Sequence, residues 1–111
     1  MFCNLRGGYL VEIETKKEFD FLKGFIEPLV KEHKFLLTGG TKSAERSSWS
    51  YFESEKPISF FHWATREQPA SAEPGVCIWL WRDGDWSYVE GVCDFNSYTG
   101  NERGFLCEIP Q

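Results

Sequence analysis

The chain has 111 residues, 41% of them hydrophobic, 26% charged and 17% aromatic, with a formal charge of -5 and a pI near 5.0. That length makes one domain, residues 1–111, which on folding buries about 65% of the surface its unfolded chain exposes. Lys16, Lys17, Arg46, Lys56 and Arg82 are interspersed with acids, which excludes a nucleic-acid stripe, and the most apolar run, residues 76–81, is far short of the roughly 20 residues that span a bilayer.

The first residues, Met1-Phe2-Cys3-Asn4-Leu5-Arg6-Gly7-Gly8, carry neither the charged n-region nor the apolar h-region of a secretion signal. Residues 9–13, Tyr-Leu-Val-Glu-Ile, have the composition of a short strand. Thr15-Lys16-Lys17-Glu18 then forms a capping box, in which hydroxyl and carboxylate satisfy the free N–H groups of a helix start. Phe19, Leu22, Phe25, Ile26 and Leu29 follow at three- and four-residue steps and predict one apolar helical stripe. Pro28 ends that helix near Ile26 or Glu27.

Residues 35–38 running into Gly39-Gly40, residues 49–52 and residues 58–63 read as strands and turns. Residues 64–75 hold Pro69 and Pro74 and almost no large apolar side chain, which predicts a long surface loop of the kind that carries function. Strands over residues 76–81 and 86–89 flank a turn at Arg82-Asp83-Gly84-Asp85, and a last strand covers residues 104–109. In the first of these, alternation puts Val76, Ile78 and Leu80 on one face and Cys77, Trp79 and Trp81 on the other. Both faces are apolar, so the strand is buried on both sides or displays tryptophan outward.

The four cysteines, Cys3, Cys77, Cys93 and Cys107, include no close-spaced couple, and His33 and His62 stand apart, so a zinc site is not expected. A nucleophile pair such as Cys77 with His62 is allowed by spacing, but paired structural cysteines are the simpler expectation. Three connectivities exist. The most economical joins the ends, Cys3 to Cys107, around Cys77 to Cys93, with chain-entropy contributions of about 4.7 and about 3 kcal/mol. Such a share of a small domain's stability implies an oxidising compartment, hence a secreted protein or extracellular domain.

Taken in order, Cys3, Gly8-Tyr9-Leu10-Val11-Glu12-Ile13, the helix Glu18-Phe19-Asp20-Phe21-Leu22, Leu36-Leu37-Thr38-Gly39-Gly40 and Trp49-Ser50-Tyr51 form a series. It continues through Pro57-Ile58-Ser59-Phe60-Phe61-His62-Trp63, Cys77, Gly84-Asp85-Trp86, Cys93 and Phe105-Leu106-Cys107-Glu108. Over most of the chain this set resembles the C-type lectin-like domain. The resemblance implies an α+β fold with mixed and antiparallel sheets, one or two helices, a long-loop region, and Cys3–Cys107 nested around Cys77–Cys93. Members ordinarily carry a further hairpin strand and a complete first helix ahead of the first core cysteine. The chain reads as short of that piece, which leaves residues 105–109 as an edge open to another chain and makes a homodimer one expected partner.

Members that bind sugar through calcium take ligands from a Glu-Pro-Asn or Gln-Pro-Asp loop and a Trp-Asn-Asp strand, because the ion needs six to eight oxygens. The matching positions here are Gln68-Pro69-Ala70 and Trp86-Ser87-Tyr88. Ala70 offers no oxygen, the strand lacks the amide and carboxylate, and Gly75 stands where many sugar binders place a further carboxylate. No cofactor is therefore expected; a rearranged calcium site among Glu67, Glu73, Asp83, Asp85 and Glu90 is the alternative. By the same resemblance Trp49, Trp63 and Trp86 belong to the core. Trp79 and Trp81 are core or contact surface, and Tyr88 and Tyr98 are expected at the surface.

The candidate ligand contacts are thus Glu67, Gln68, Trp81, Asp85 and Tyr88. No spacing selects a glycosidase pair from Glu18, Asp20, Glu67 and Glu73, so no enzyme is expected. The sequence points to an extracellular recognition module holding a glycan or protein ligand on residues 64–92, with no nucleic acid and no membrane insertion. Its rival is an acidic matrix or mineral-associated protein without a discrete ligand.

Overall fold

In a computed structural model of the chain, which describes residues 3, 7–29, 32–42, 48–64, 76–93 and 103–108, the capping box opens helix α1 (Lys16–Ile26). The Thr15 hydroxyl accepts the Glu18 N–H at 3.1 Å, and the Glu18 carboxylate reaches back to the Glu14 N–H at 3.2 Å. The helix stops before Pro28, its last N–H bond running from Glu27 to the Lys23 carbonyl at 3.1 Å. Phe19 and Ile26 are buried, with Leu22 packed beside them. The expected stripe is narrower than the sequence suggests, because Phe25 and Leu29 are 57% and 67% exposed. They fall with Phe21, 77% exposed, on a second row at four-residue steps that turns away from the sheet.

The strands are β1 (Tyr9–Leu10), β2 (Phe35–Lys42), β3 (Trp49–Tyr51), β4 (Val76–Trp81), β5 (Ser87–Val92), β6 (Arg103–Phe105) and β7 (Cys107–Glu108). β1 pairs antiparallel with β7, and the other five form a sheet ordered β3-β2-β4-β5 with β6 beside β2. The two halves of β2 have different neighbours: residues 35–37 lie parallel to β6, residues 40–42 antiparallel to β3. Between them the register against β4 slips, Leu37 facing Trp79 but Thr41 facing Cys77. Thr38 spans the break, its hydroxyl donating to the Ile78 carbonyl at 2.8 Å and accepting the Gly40 N–H at 3.1 Å.

β2 thus continues through Gly39 and Gly40, where the sequence suggested an end. Both glycines are needed for close approach: a Cβ on Gly39 would lie 2.9 Å from the Leu10 carbonyl oxygen, and one on Gly40 would lie 2.8 Å from Ile78 Cδ1. Residues 58–63 form no strand. Within them Trp63 makes a single bridge to Tyr88, and just ahead of them Pro57 makes one to Ser50, while Ile58, Phe60, Phe61 and Trp63 pack on the core. The open edge expected at residues 105–109 is partly closed, since Phe105 pairs with Leu37 and Cys107 and Glu108 pair with β1; Ile109 lies outside the described residues.

Alternation along β4 divides the core. Val76, Ile78 and Leu80 pack with Phe19, Ile26, Trp86 and Tyr88, while Cys77 and Trp79 pack with Cys3, Leu10 and Leu37. The cysteines form two nested bridges, Cys3–Cys107 and Cys77–Cys93, with Cα separations of 5.6 and 5.0 Å. Cys77 is therefore no thiol nucleophile.

Candidate ligand-binding groove

β4 ends at Trp81 and β5 starts at Ser87, joined by a 3-10 turn over Arg82–Gly84. The Trp86 N–H donates to the Trp81 carbonyl at 2.8 Å, and the Ser87 hydroxyl donates to the Gly84 carbonyl at 2.7 Å. Asp85 and Trp86 both hold left-handed backbone, φ 59° and 63°. Asp tolerates that conformation; tryptophan resists it. Trp86 is kept there by complete burial and by its indole N–H, which donates to Glu27 Oε2 on the helix side at 2.5 Å.

This turn supports Trp81 from below. A Cβ on Gly84 would come 2.4 Å from Trp81 Cε3, so only glycine leaves room for the indole against the turn. Trp81 faces Phe35 across the ladder, and Phe35 in turn faces Arg103. With Val89, Glu90 and Gly91 these residues line an open groove of about 380 Å³. The Arg103 guanidinium carbon sits 4.0 Å from the Phe35 ring centroid and 5.1 Å from that of Trp79, a double cation–π contact over a fully buried indole. Glu90 lies opposite Ile78, so alternation directs its side chain to the other face of the sheet. There its Oε2 is shielded from water and meets no hydrogen-bond partner.

The sequence-derived contacts do not form one cluster. Trp81 is half-buried and lines the groove. Asp85 instead bonds the Lys23 ammonium of α1 at 2.6 Å, with side-chain exposures of 72% and 33%. That hydrogen bond raises the Lys23 ammonium above its ordinary value, outweighing desolvation. Tyr88 corrects the expectation of a surface tyrosine: it is 3% exposed and meets Phe19, Phe60 and Trp63 edge-on at 5.9, 6.1 and 6.0 Å. Burial pushes its phenol well above the ordinary value. Its polar and glycine neighbours suggested exposure, but in the ladder it pairs with Leu80, one of the most enclosed residues. Glu67 and Gln68, with Glu73 and Tyr98, lie outside the described residues.

Sequence reasoning missed Phe35 and Arg103. Phe35 read as an ordinary strand residue, and Arg103 reaches the groove only through the parallel pairing of β6 with β2, which no local pattern announces. The strand half of a family-type calcium site does not fit these residues. Ser87 is buried with its hydroxyl given to Gly84, Tyr88 is in the core, and Asp83 lies 3.7 Å from Arg82 Nε. Among the described residues no group of three or more His, Cys, Asp or Glu could hold a metal ion, and no helix is long and apolar enough to cross a membrane.

A second groove, of about 340 Å³, opens beside the start of α1 and is lined by Glu14, Thr15, Tyr51, Lys56, Pro57 and Ser59. Its aromatic, Tyr51, is 5% exposed and donates its hydroxyl to the Ile13 carbonyl, so it offers little ring surface to a ligand.

No protein-family model matches the chain. A perlucin-like protein of Mytilus galloprovincialis is 24% identical over 105 residues, which are 95% of this chain and 64% of that protein. The chain thus spans just under two thirds of that relative. Among solved structures, SPL-1 in complex with GlcNAc superposes with a TM-score of 0.67 at 25% identity, covering 81% of this chain and 64% of SPL-1. Human lithostathine gives the same TM-score at 23% identity, covering 83% of this chain and 70% of lithostathine.

Proposed function

We propose that this chain, a domain of C-type lectin-like fold, is an extracellular recognition module that binds carbohydrate in the Trp81 groove without calcium. The observation that carries the reading is the state of Trp81. Trp49, Trp79 and Trp86 are buried and the half-buried Trp63 packs on Trp49, Phe61 and Tyr88, whereas the half-buried Trp81 lies against Gly84 and forms part of a groove wall. A half-exposed indole in a groove wall gives the C–H face of a sugar ring an apolar surface to stack on.

Independence from calcium is supported by Ser87 and Tyr88, which are turned into the protein where family-type ligands would have to face out. An extracellular setting is supported by two disulfides in so small a domain. The similar SPL-1 was solved with GlcNAc, which favours a sugar among ligand classes.

The test is a glycan-array screen followed by calorimetry, each run in millimolar calcium and in chelator. Saturable binding of equal affinity in both, reduced about tenfold by Trp81→Ala in a folded protein, is the expected result. Binding that vanishes with chelator, or a rise in Tm on adding calcium, would overturn calcium independence, because selective binding to the folded state must stabilise it. Diffuse, salt-sensitive adsorption without saturation would favour the matrix-protein reading.

A further inference from the structure

We infer that Glu27, which stands on α1 outside the groove, is a positioning residue for it: by holding the Trp86 indole it sets the turn on which Trp81 rests. The inference rests on the carbohydrate reading above and deepens it, since it names what presents Trp81 to a sugar.

Two local preferences are broken where α1 meets this turn, and each accounts for the other. Trp86 follows Asp85 into left-handed backbone, φ 63° after 59°. A bulky side chain crowds the neighbouring carbonyl there, whereas glycine or asparagine would make the same turn at lower cost. The backbone bonds of the turn, Trp86 N–H to the Trp81 carbonyl at 2.8 Å and Asp85 N–H to the Arg82 carbonyl at 3.0 Å, require no tryptophan either. Glu27 in turn closes α1 as its C-cap, at the negative end of the helix dipole, where a cation is the favoured charge.

What tryptophan and glutamate gain is one another. The indole N–H donates to Glu27 Oε2 at 2.5 Å across 59 residues of sequence. A carboxylate acceptor makes this bond stronger than one to a neutral group. The donor belongs to a ring that is 0% exposed, so an N–H left there without an acceptor would be costly. The Glu27 N–H is held by the Lys23 carbonyl at 3.1 Å and Pro28 follows, so the carboxylate stands at a fixed helix end. Backbone strain kept in place by surrounding contacts is concentrated at binding and catalytic sites.

Trp86 bears directly on the groove. Its N–H holds the Trp81 carbonyl, and Gly84 packs so closely on the Trp81 ring that a Cβ would come 2.4 Å from Cε3. A shift of Trp86 is therefore passed to Trp81 both through its carbonyl and through the glycine against its indole. The other link between helix and turn, Lys23 to Asp85 at 2.6 Å, is exposed and screened, and holds the turn weakly.

The experiment follows the indole N–H signals of the five tryptophans by heteronuclear NMR in the intact chain and in Glu27→Ala, Glu27→Gln and Leu22→Ala. Each protein is also titrated with tri-N-acetylchitotriose, or with the tightest oligosaccharide of the glycan array where that differs. Leu22 packs on the core from the same helix and does not line the groove, so its variant reports lost helix packing alone. Glu27→Ala should move the Trp81 signal along with that of Trp86 and weaken sugar binding roughly 3- to 20-fold. Glu27→Gln keeps a side-chain oxygen for the indole N–H and should restore both to within about twofold of the parent. Leu22→Ala should lower Tm but leave the Trp81 signal and the affinity in place. If Glu27→Ala does not fold, Trp86→Phe decides, since it keeps a buried ring, removes the N–H and should give the same two changes. A Trp81 signal and an affinity unchanged in Glu27→Ala, or altered equally in Leu22→Ala, overturn the positioning role and leave carbohydrate recognition standing. A parent that binds no sugar, with the Trp81 signal still moved by Glu27→Ala, overturns carbohydrate recognition and keeps the hold of Glu27 on Trp81.

Discussion

Removing the inner disulfide by replacing Cys77 and Cys93 with alanine tests how this fold is held. The bridge closes a segment of 16 residues, for which the chain-entropy model gives about 3 kcal/mol. A domain of this size has roughly 5–15 kcal/mol in all, and each kcal/mol corresponds to about 4–8 °C in Tm. The variant should therefore melt roughly 10–20 °C lower by scanning calorimetry. Opening the outer bridge releases 104 residues, and the logarithmic dependence makes that loss larger by about 1.6 kcal/mol. The urea m-value should rise in both variants, since an uncrosslinked unfolded chain exposes more surface. Well below the melting temperature, sugar affinity of the inner variant should change less than about twofold, because the Trp81 shelf is fixed by its own turn and not by the bridge. A drop in Tm under about 5 °C, or an inner variant less stable than the outer one, would refute the reasoning.

Gly84→Ala forces a methyl group within 2.4 Å of Trp81 Cε3 and 2.7 Å of Ser87 Oγ; we expect a loss of about 1–3 kcal/mol and a shifted tryptophan emission together with weaker sugar binding, whereas unchanged emission and affinity would contradict the shelf. Asp85→Asn should lower stability by no more than about 1 kcal/mol, because its pair with Lys23 is exposed and asparagine keeps the left-handed backbone. Since the pair raises the Lys23 value, its contribution is present below the ordinary lysine value of 10.5 and disappears as pH climbs through the raised one, where variant and parent should converge. A loss of sugar affinity in Asp85→Asn would instead make Asp85 a contact. Burial raises the phenols of Tyr51 and Tyr88 above the ordinary 10.0, so their stabilising effect holds below that pH and is lost above it. Ultraviolet titration should show these two ionising only as the chain unfolds in alkali; reversible ionisation near 10.0 with the fold intact would contradict their burial.

What the sequence disclosed depended on how local each signal was. Thr15 and Glu18 marked the helix start because capping is settled within one turn, and residues 76–81 declared both faces because alternation needs only the strand itself. Residues 58–63 misled for a complementary reason. Their side chains are as apolar as a strand's, yet the backbone meets its neighbours at isolated points, and periodicity reads side chains alone. Tyr88 and Arg103 failed differently. One was judged by polar neighbours in the chain when its partner across the ladder was Leu80, and the other enters the groove through a parallel pairing between segments far apart in sequence.

The stems on either side of residues 65–75 have a further consequence. On one side the Tyr88 N–H donates to the His62 carbonyl at 2.7 Å and the Ala64 N–H to the Tyr88 carbonyl at 2.9 Å; on the other, Val76 pairs with Val92 beside the Cys77–Cys93 bridge. The intervening segment therefore begins and ends at fixed posts. Doubling the length of such a segment costs only about 0.6 kcal/mol in closure entropy, a fraction of what the bridge contributes. A change in the length of this segment therefore costs the domain little stability, and α1, the sheet and the Trp81 shelf do not depend on it.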